Sequence, residues 1–153
     1  MVNIYTKKGL QVAASPADAI CAFVPPFLKY LREGTAKVGL SPARFQLLQA
    51  LDRDEPCSMV DLAERLSVTK RNITTLVDAL EREKLAERRP HPTDRRSKLV
   101  ALTSKGQMKF DEAVKVQRDH LETLVANLEL RHQGLMAQAL ERLTDVMTSS
   151  QRD

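Results

Sequence analysis

A mainly α-helical fold carrying one small β-hairpin is what this 153-residue sequence predicts, and three observations predict it. Apolar residues recur at helical spacing through much of the chain, as at Ile73, Leu76, Val77 and Leu80. Two short helical patterns, 58–66 and 69–80, are joined by so little chain that the helices must cross steeply. Two short runs able to form strands, 86–89 and 98–103, then flank a cationic tip within Pro90-His91-Pro92-Thr93-Asp94-Arg95-Arg96-Ser97-Lys98-Leu99. Helix, turn, helix and hairpin in that order make a winged helix-turn-helix, here flanked by N- and C-terminal helices.

Each element follows from local chemistry. Residues 1–14 lack periodicity and read as a loose arm. At Ser15-Pro16-Ala17-Asp18 a helix begins: Ser15 caps, Pro16 suits the first helical position, and Asp18 faces the positive end of the dipole. Ile20, Phe23 and Val24 supply its apolar face. Pro25-Pro26 then must kink or break it before Phe27, Leu28 and Leu31 resume, and Gly39 is the terminator. Ser41-Pro42 starts a helix with Phe45, Leu48 and Leu51 on one side and Leu47 beside them. Ser58 with Asp61 caps the next, through Leu62, Ala63 and Leu66. Thr69 caps its successor, leaving Lys70, Arg71, Asn72 and Thr75 on or near its exposed N-terminal part.

Periodicity alone leaves Leu99 to Leu102 open between helix and strand, but shortness and the preceding prolines favour a strand. Thr103-Ser104-Lys105-Gly106 marks another helix start. Two helical patterns follow, through Phe110, Val114, Leu121, Leu124 and Leu128, and through Leu135, Leu140, Leu143 and Val146. So small a helix-turn-helix offers them no obvious partner. A second subunit would cover them, with the N-terminal helix as third contributor; an intrachain bundle is the alternative. The expected organisation is a single domain, 1–153, with 41–106 as the winged helix-turn-helix and 15–40 and 104–150 as dimerisation helices.

Composition narrows the class. Hydrophobic residues make up 42% and charged residues 29% of the chain, and no apolar run approaches the roughly 18 residues that span a bilayer. Without a secretory signal at its start, the chain is expected in the cytoplasm, with no membrane partner. Cys21 and Cys57 are too far apart, and too far from a second ligand, for a metal finger. His91, His120 and His132 are scattered. With no nucleophile triad and no glycine-rich phosphate loop, the sequence predicts neither an enzyme nor a bound cofactor or metal. His120 and His132 could still meet a metal across a subunit interface.

Net charge is +4, yet between Arg65 and Val100 ten basic residues face five acidic ones, while the rest of the chain is nearly balanced. A field concentrated in one segment favours a polyanion. An arginine at a hairpin tip can enter a narrow minor groove, where the negative potential is strongest. Arginine can pair with guanine O6 and N7 and asparagine with adenine N6 and N7, so Arg71 and Asn72 are the base-reading candidates and Lys70 a phosphate contact. A winged helix used for protein contact is the rival reading; it needs no cationic wing.

The run from Ser58 to Gly106, including the Asp94-Arg95-Arg96-Ser97 tip and the Leu102-Thr103-x-x-Gly106 exit, resembles the MarR family of bacterial transcription regulators. The resemblance implies a homodimer with interleaved terminal helices and two winged helices offered to adjacent major grooves of a pseudo-palindromic double-stranded operator. It further implies a repressor released by a small organic effector. On the matching positions, Arg96 is the minor-groove arginine, Asp94 the acid that orients it, and Arg95 a phosphate-facing neighbour, with Ser97 and Lys98 completing the tip. Lys70, Arg71, Asn72 and Thr75 take recognition-helix positions, and Ser58 and Thr69 helix starts near the DNA backbone. Tyr30, Arg32 and Phe45 are candidates to line an effector pocket. Lys84 stands where the family usually has glycine, Thr75 where it often has arginine, and Pro25-Pro26 interrupts a helix that is often continuous.

Overall fold

The computed structural model describes residues 15–52, 56–93 and 97–149. The expected arm at 1–14 therefore lies outside the described residues. Among those described, six helices and three strands follow in the order α1 (Pro16–Ala36), α2 (Pro42–Asp52), β1 (Cys57–Ser58), α3 (Met59–Arg65), α4 (Lys70–Arg82), β2 (Ala86–Pro90), β3 (Lys98–Leu102), α5 (Ser104–Val125) and α6 (Leu130–Ser149). Two compact units divide between Gln117 and Arg118, within α5.

Side-chain caps set the helix starts. The backbone N–H of Asp18 donates to Ser15 Oγ at 3.2 Å, that of Asp61 to Ser58 Oγ at 3.2 Å, and that of Asn72 to Thr69 Oγ1 at 3.2 Å. Each cap satisfies a donor the helix cannot use itself, a contribution of about 1 kcal/mol. Gly39, at φ +73°, turns the chain out of α1. The Leu40 N–H then reaches back to the Thr35 carbonyl, a left-handed turn that glycine enters at no steric cost.

One core organises the first unit. Leu47, Leu48 and Leu51 of α2, Leu62 of α3, Ile73, Val77 and Leu80 of α4, Val100 of β3 and Phe110 and Ala113 of α5 are buried together. Burying each large aliphatic side chain contributes about 1.5–3 kcal/mol, enough to fix short helices that would not persist alone. The antiparallel sheet has the order β1-β3-β2, with Ala86 opposite Leu102, Arg88 opposite Val100 and Pro90 opposite Lys98. Pro90 sits on an edge strand, where a missing N–H is tolerated.

Two expectations need correction. Of the kink or break expected at Pro25-Pro26, the break does not occur: the first helix runs from Pro16 to Ala36 with both prolines inside it. The prolines delete the hydrogen bonds to the Cys21 and Ala22 carbonyls, but both residues are exposed, so water can take over the vacated acceptors. Second, the sheet has a third strand: Cys57 and Ser58 pair with Val100 and Leu99.

Lys84, where the resemblance implied glycine, has the left-handed conformation, φ +59°, and Ser67, between α3 and α4, has φ +50°. Each costs about 1 kcal/mol that surrounding contacts must offset. At Lys84 they are visible. Thr103 Oγ1 donates to the Lys84 carbonyl at 2.7 Å, Lys105 Nζ to the Glu83 carbonyl at 2.9 Å and the Thr103 N–H to the Leu85 carbonyl at 3.2 Å. Gly106 permits this closeness, since a Cβ there would lie 1.8 Å from the Leu85 oxygen.

In the second unit α6 has no buried residue, and Leu135, Leu140, Leu143 and Val146 are all exposed. Ile20, Phe23, Val24 and Leu28 of α1, in the first unit, are exposed as well. Among the described residues no helix is long and apolar enough to cross a membrane.

Candidate nucleic-acid interface

The first turn of α4 is the centre of the site. Ile73, Val77 and Leu80 bury one face of the helix, and the opposite face leaves Lys70, Arg71, Asn72, Thr74 and Thr75 exposed. No acid stands in that first turn. Two cations at the positive end of a helix dipole oppose local stability by a few tenths of a kcal/mol each, and an anion placed there reverses the sign. Thr74 Oγ1 donates to the Lys70 carbonyl at 2.8 Å and Thr75 Oγ1 to the Arg71 carbonyl at 3.1 Å, so both hydroxyls are engaged on their own helix. Thr74 also lies on this exposed surface, and its place outside the apolar i, i+3, i+4 pattern is the signal that marks it outward.

Ser58 and Thr69 are the caps of α3 and α4, and the Ser58 hydroxyl also donates to Asp61 Oδ2 at 2.8 Å. In the hairpin, the His91 N–H donates to the Ser97 carbonyl at 3.4 Å and the Thr93 N–H to His91 Nδ1 at 3.3 Å. Ser97 is half-buried and Lys98, opening β3, is exposed. Asp94, Arg95 and Arg96 lie outside the described residues.

The basic segment is less uniform than its count suggests. Arg88 pairs with Glu81 and, at 2.7 Å, with Asp78; Arg89 pairs with Glu87 at 2.7 Å. Lys70, Arg71, Lys84 and Lys98 carry no ion pair among the described residues and supply exposed charge. The Arg88 cluster links residues seven and ten apart across a helix and a strand, a relation no local periodicity reveals.

The three effector candidates do not gather around a described cavity. Phe45 is a core residue, 8% exposed, its ring tilted against Phe110 with centroids 5.7 Å apart. Tyr30 is half-buried on α1 and Arg32 exposed, its Nε donating to the Leu28 carbonyl at 3.2 Å. A depression of about 370 Å³ in the second unit is lined by Arg118, Leu121, Glu122, Val125, Ala126 and Gln133. Another, of about 500 Å³, lies along α4 at Thr75, Asp78, Glu81 and Arg82. His120 is half-buried on α5 and His132 exposed on α6.

Comparison with known proteins now bears on this geometry. Residues 38–97 match the MarR family model. Over this segment the chain is similar to the MarR family. It is 37% identical over 76 residues to the HTH-type transcriptional repressor YetL of Bacillus subtilis, a match that covers 48% of this chain and 46% of that one. The chain thus spans about half the length of this curated relative. Among solved structures, RV1404 from Mycobacterium tuberculosis superposes with a TM-score of 0.76 at 25% identity, covering 86% of this chain and 91% of that one. An S. aureus MepR F27L mutant bound to an oligodeoxyribonucleotide superposes with a TM-score of 0.64 at 18% identity, over 87% and 98% of the two chains, a likeness of fold. The winged-helix fold is therefore that of MarR-like structures.

Proposed function

We propose that this protein is a sequence-specific double-stranded DNA-binding transcriptional regulator, working in the cytoplasm as a homodimeric repressor that a small organic effector releases. The carrying observation is the first turn of α4, where Lys70, Arg71 and Asn72 stand exposed on a helix end that favours anions. In this reading Arg71 and Asn72 touch base edges in the major groove, Lys70 and Thr75 the adjacent backbone, and the starts at Ser58 and Thr69 approach phosphates. Arg96, oriented by Asp94 and with Arg95, Ser97 and Lys98 beside it, enters the minor groove. Residues 41–106 form the reader, and 15–40 and 104–150 the arms that join two copies. Support for the arms comes from α1 and α6, whose apolar side chains remain exposed in the single chain.

Footprinting of the purified protein on the DNA upstream of its own reading frame tests this directly. Two protected half-sites about 10 base pairs apart, centre to centre, are expected, with affinity falling steeply as salt rises. No protection at low ionic strength overturns the proposal. Arg96→Ala is expected to weaken binding at least about tenfold with the dimer intact, because it removes one charge-assisted groove contact. An unchanged affinity at physiological salt removes Arg96 from the interface.

A further inference from the structure

We infer that Arg88, with Glu81 and Asp78, is a positioning cluster that sets the recognition helix against the hairpin and thereby governs DNA affinity without touching DNA; the inference rests on the DNA-binding reading above. Asp78 and Glu81 are one helical turn apart on α4, and Arg88 is the middle residue of β2. The Arg88 guanidinium bonds Glu81 through one terminal nitrogen and Asp78, at 2.7 Å, through the other. The Arg88 backbone N–H also donates to Glu81 Oε1 at 2.9 Å. One carboxylate therefore holds both the side chain and the main chain of the strand.

Position in the sheet gives this contact its leverage. β2 is an edge strand whose sole strand partner among the described residues is β3, where Arg88 lies opposite Val100. Its outward N–H at Arg88 is taken up by Glu81 of α4, so the open edge is fastened to the recognition helix at mid-strand. Arg88 is 25% and Glu81 29% exposed by side chain, which shields the pair partly from solvent and salt. The guanidinium is a rigid planar fork, so two carboxylates from one helix turn fix its plane, and with it the strand that carries it. Two binding elements on one rigid body meet a duplex without first being ordered, whereas uncoupled elements lose affinity in proportion to the fraction correctly arranged.

The sign of a charge change separates this role from simple electrostatics. Asp78→Ala with Glu81→Ala removes two negative charges from a surface that faces a polyanion, and alanine preserves helix propensity. Electrostatics alone makes binding to the upstream DNA tighter; loss of positioning makes it weaker, by about tenfold if the competent arrangement falls to about a tenth of the population. Arg88→Met is expected to weaken binding with the slope of log affinity against log salt unchanged, because no phosphate contact is lost. A slope reduced by about one marks Arg88 as a phosphate contact and overturns the inference. Unchanged or tighter binding by the double alanine variant overturns it as well. Should that variant melt below assay temperature, Glu81→Gln replaces it, with a smaller loss of the same sign expected and any gain overturning. A wild-type protein that binds no DNA fails the DNA-binding reading and this inference together, while wild-type binding with indifferent variants fails the inference alone.

Discussion

Helices α4 and α6 are both amphipathic, yet the chain treats them in opposite ways. In α4 the apolar positions Ile73, Val77 and Leu80 are buried in a core built from α2, α3, the sheet and α5, and the polar face is left outward. In α6 the apolar positions Leu135, Leu140, Leu143 and Val146 stand exposed, and no residue of the helix is buried. A single copy therefore completes its winged helix and leaves its longest apolar stripes without cover. The former carries the proposed DNA contacts, and the latter is what a second copy would bury.

Substitution at matched leucines is the hardest test of that contrast. Leu80→Ala, in a fully buried site, is expected to lower unfolding free energy by about 3 kcal/mol, read from the urea midpoint. A loss below about 1 kcal/mol would mean that the core does not depend on α4. Leu140→Asp changes an exposed side chain and would scarcely disturb an isolated chain. In the homodimer proposed above it buries an unpaired charge, so sedimentation equilibrium is expected to show the dimer dissociation constant raised about a hundredfold. An unaltered association state would show that the stripe on α6 is simply solvated. The smallest effect belongs at the boundary of α4. Lys84→Gly relieves the left-handed strain while adding freedom to the unfolded chain, for a net gain of about 0.5 kcal/mol in the same urea experiment. Destabilisation would mean that the lysine side chain itself supports the turn.

Much of this was legible in the residues because the governing interactions are local. Ser15, Ser58 and Thr69 announce their helices through caps reaching three residues ahead, and each bond is present. The second hairpin strand follows from the short apolar run Leu99 to Leu102 after the prolines, and its pairing with β2, Ala86 opposite Leu102, agrees. What escaped is what depends on distant partners. β1 is only two residues long and exists because Val100 and Leu99 offer it an edge. Phe45, one of the effector candidates, was also legible as an apolar position of α2, but its contact with Phe110 was not. Pro25 and Pro26 were read by their local rule, which does not account for the helical turns on either side that continue. The Arg88 cluster required the helix and the strand to be placed first.

The join between Lys84 and Gly106 carries a mechanical consequence. Three successive carbonyls just after α4, those of Glu83, Lys84 and Leu85, are held by Thr103, which precedes α5, and by Lys105 in its first turn. One of the three bonds, from the Thr103 N–H to the Leu85 carbonyl, joins main chain to main chain and leaves no slack for a side chain to absorb by changing rotamer. A displacement of the first turn of α5 is thus passed to the end of α4 as a displacement of backbone. A single methyl group at position 106 would act there as a wedge.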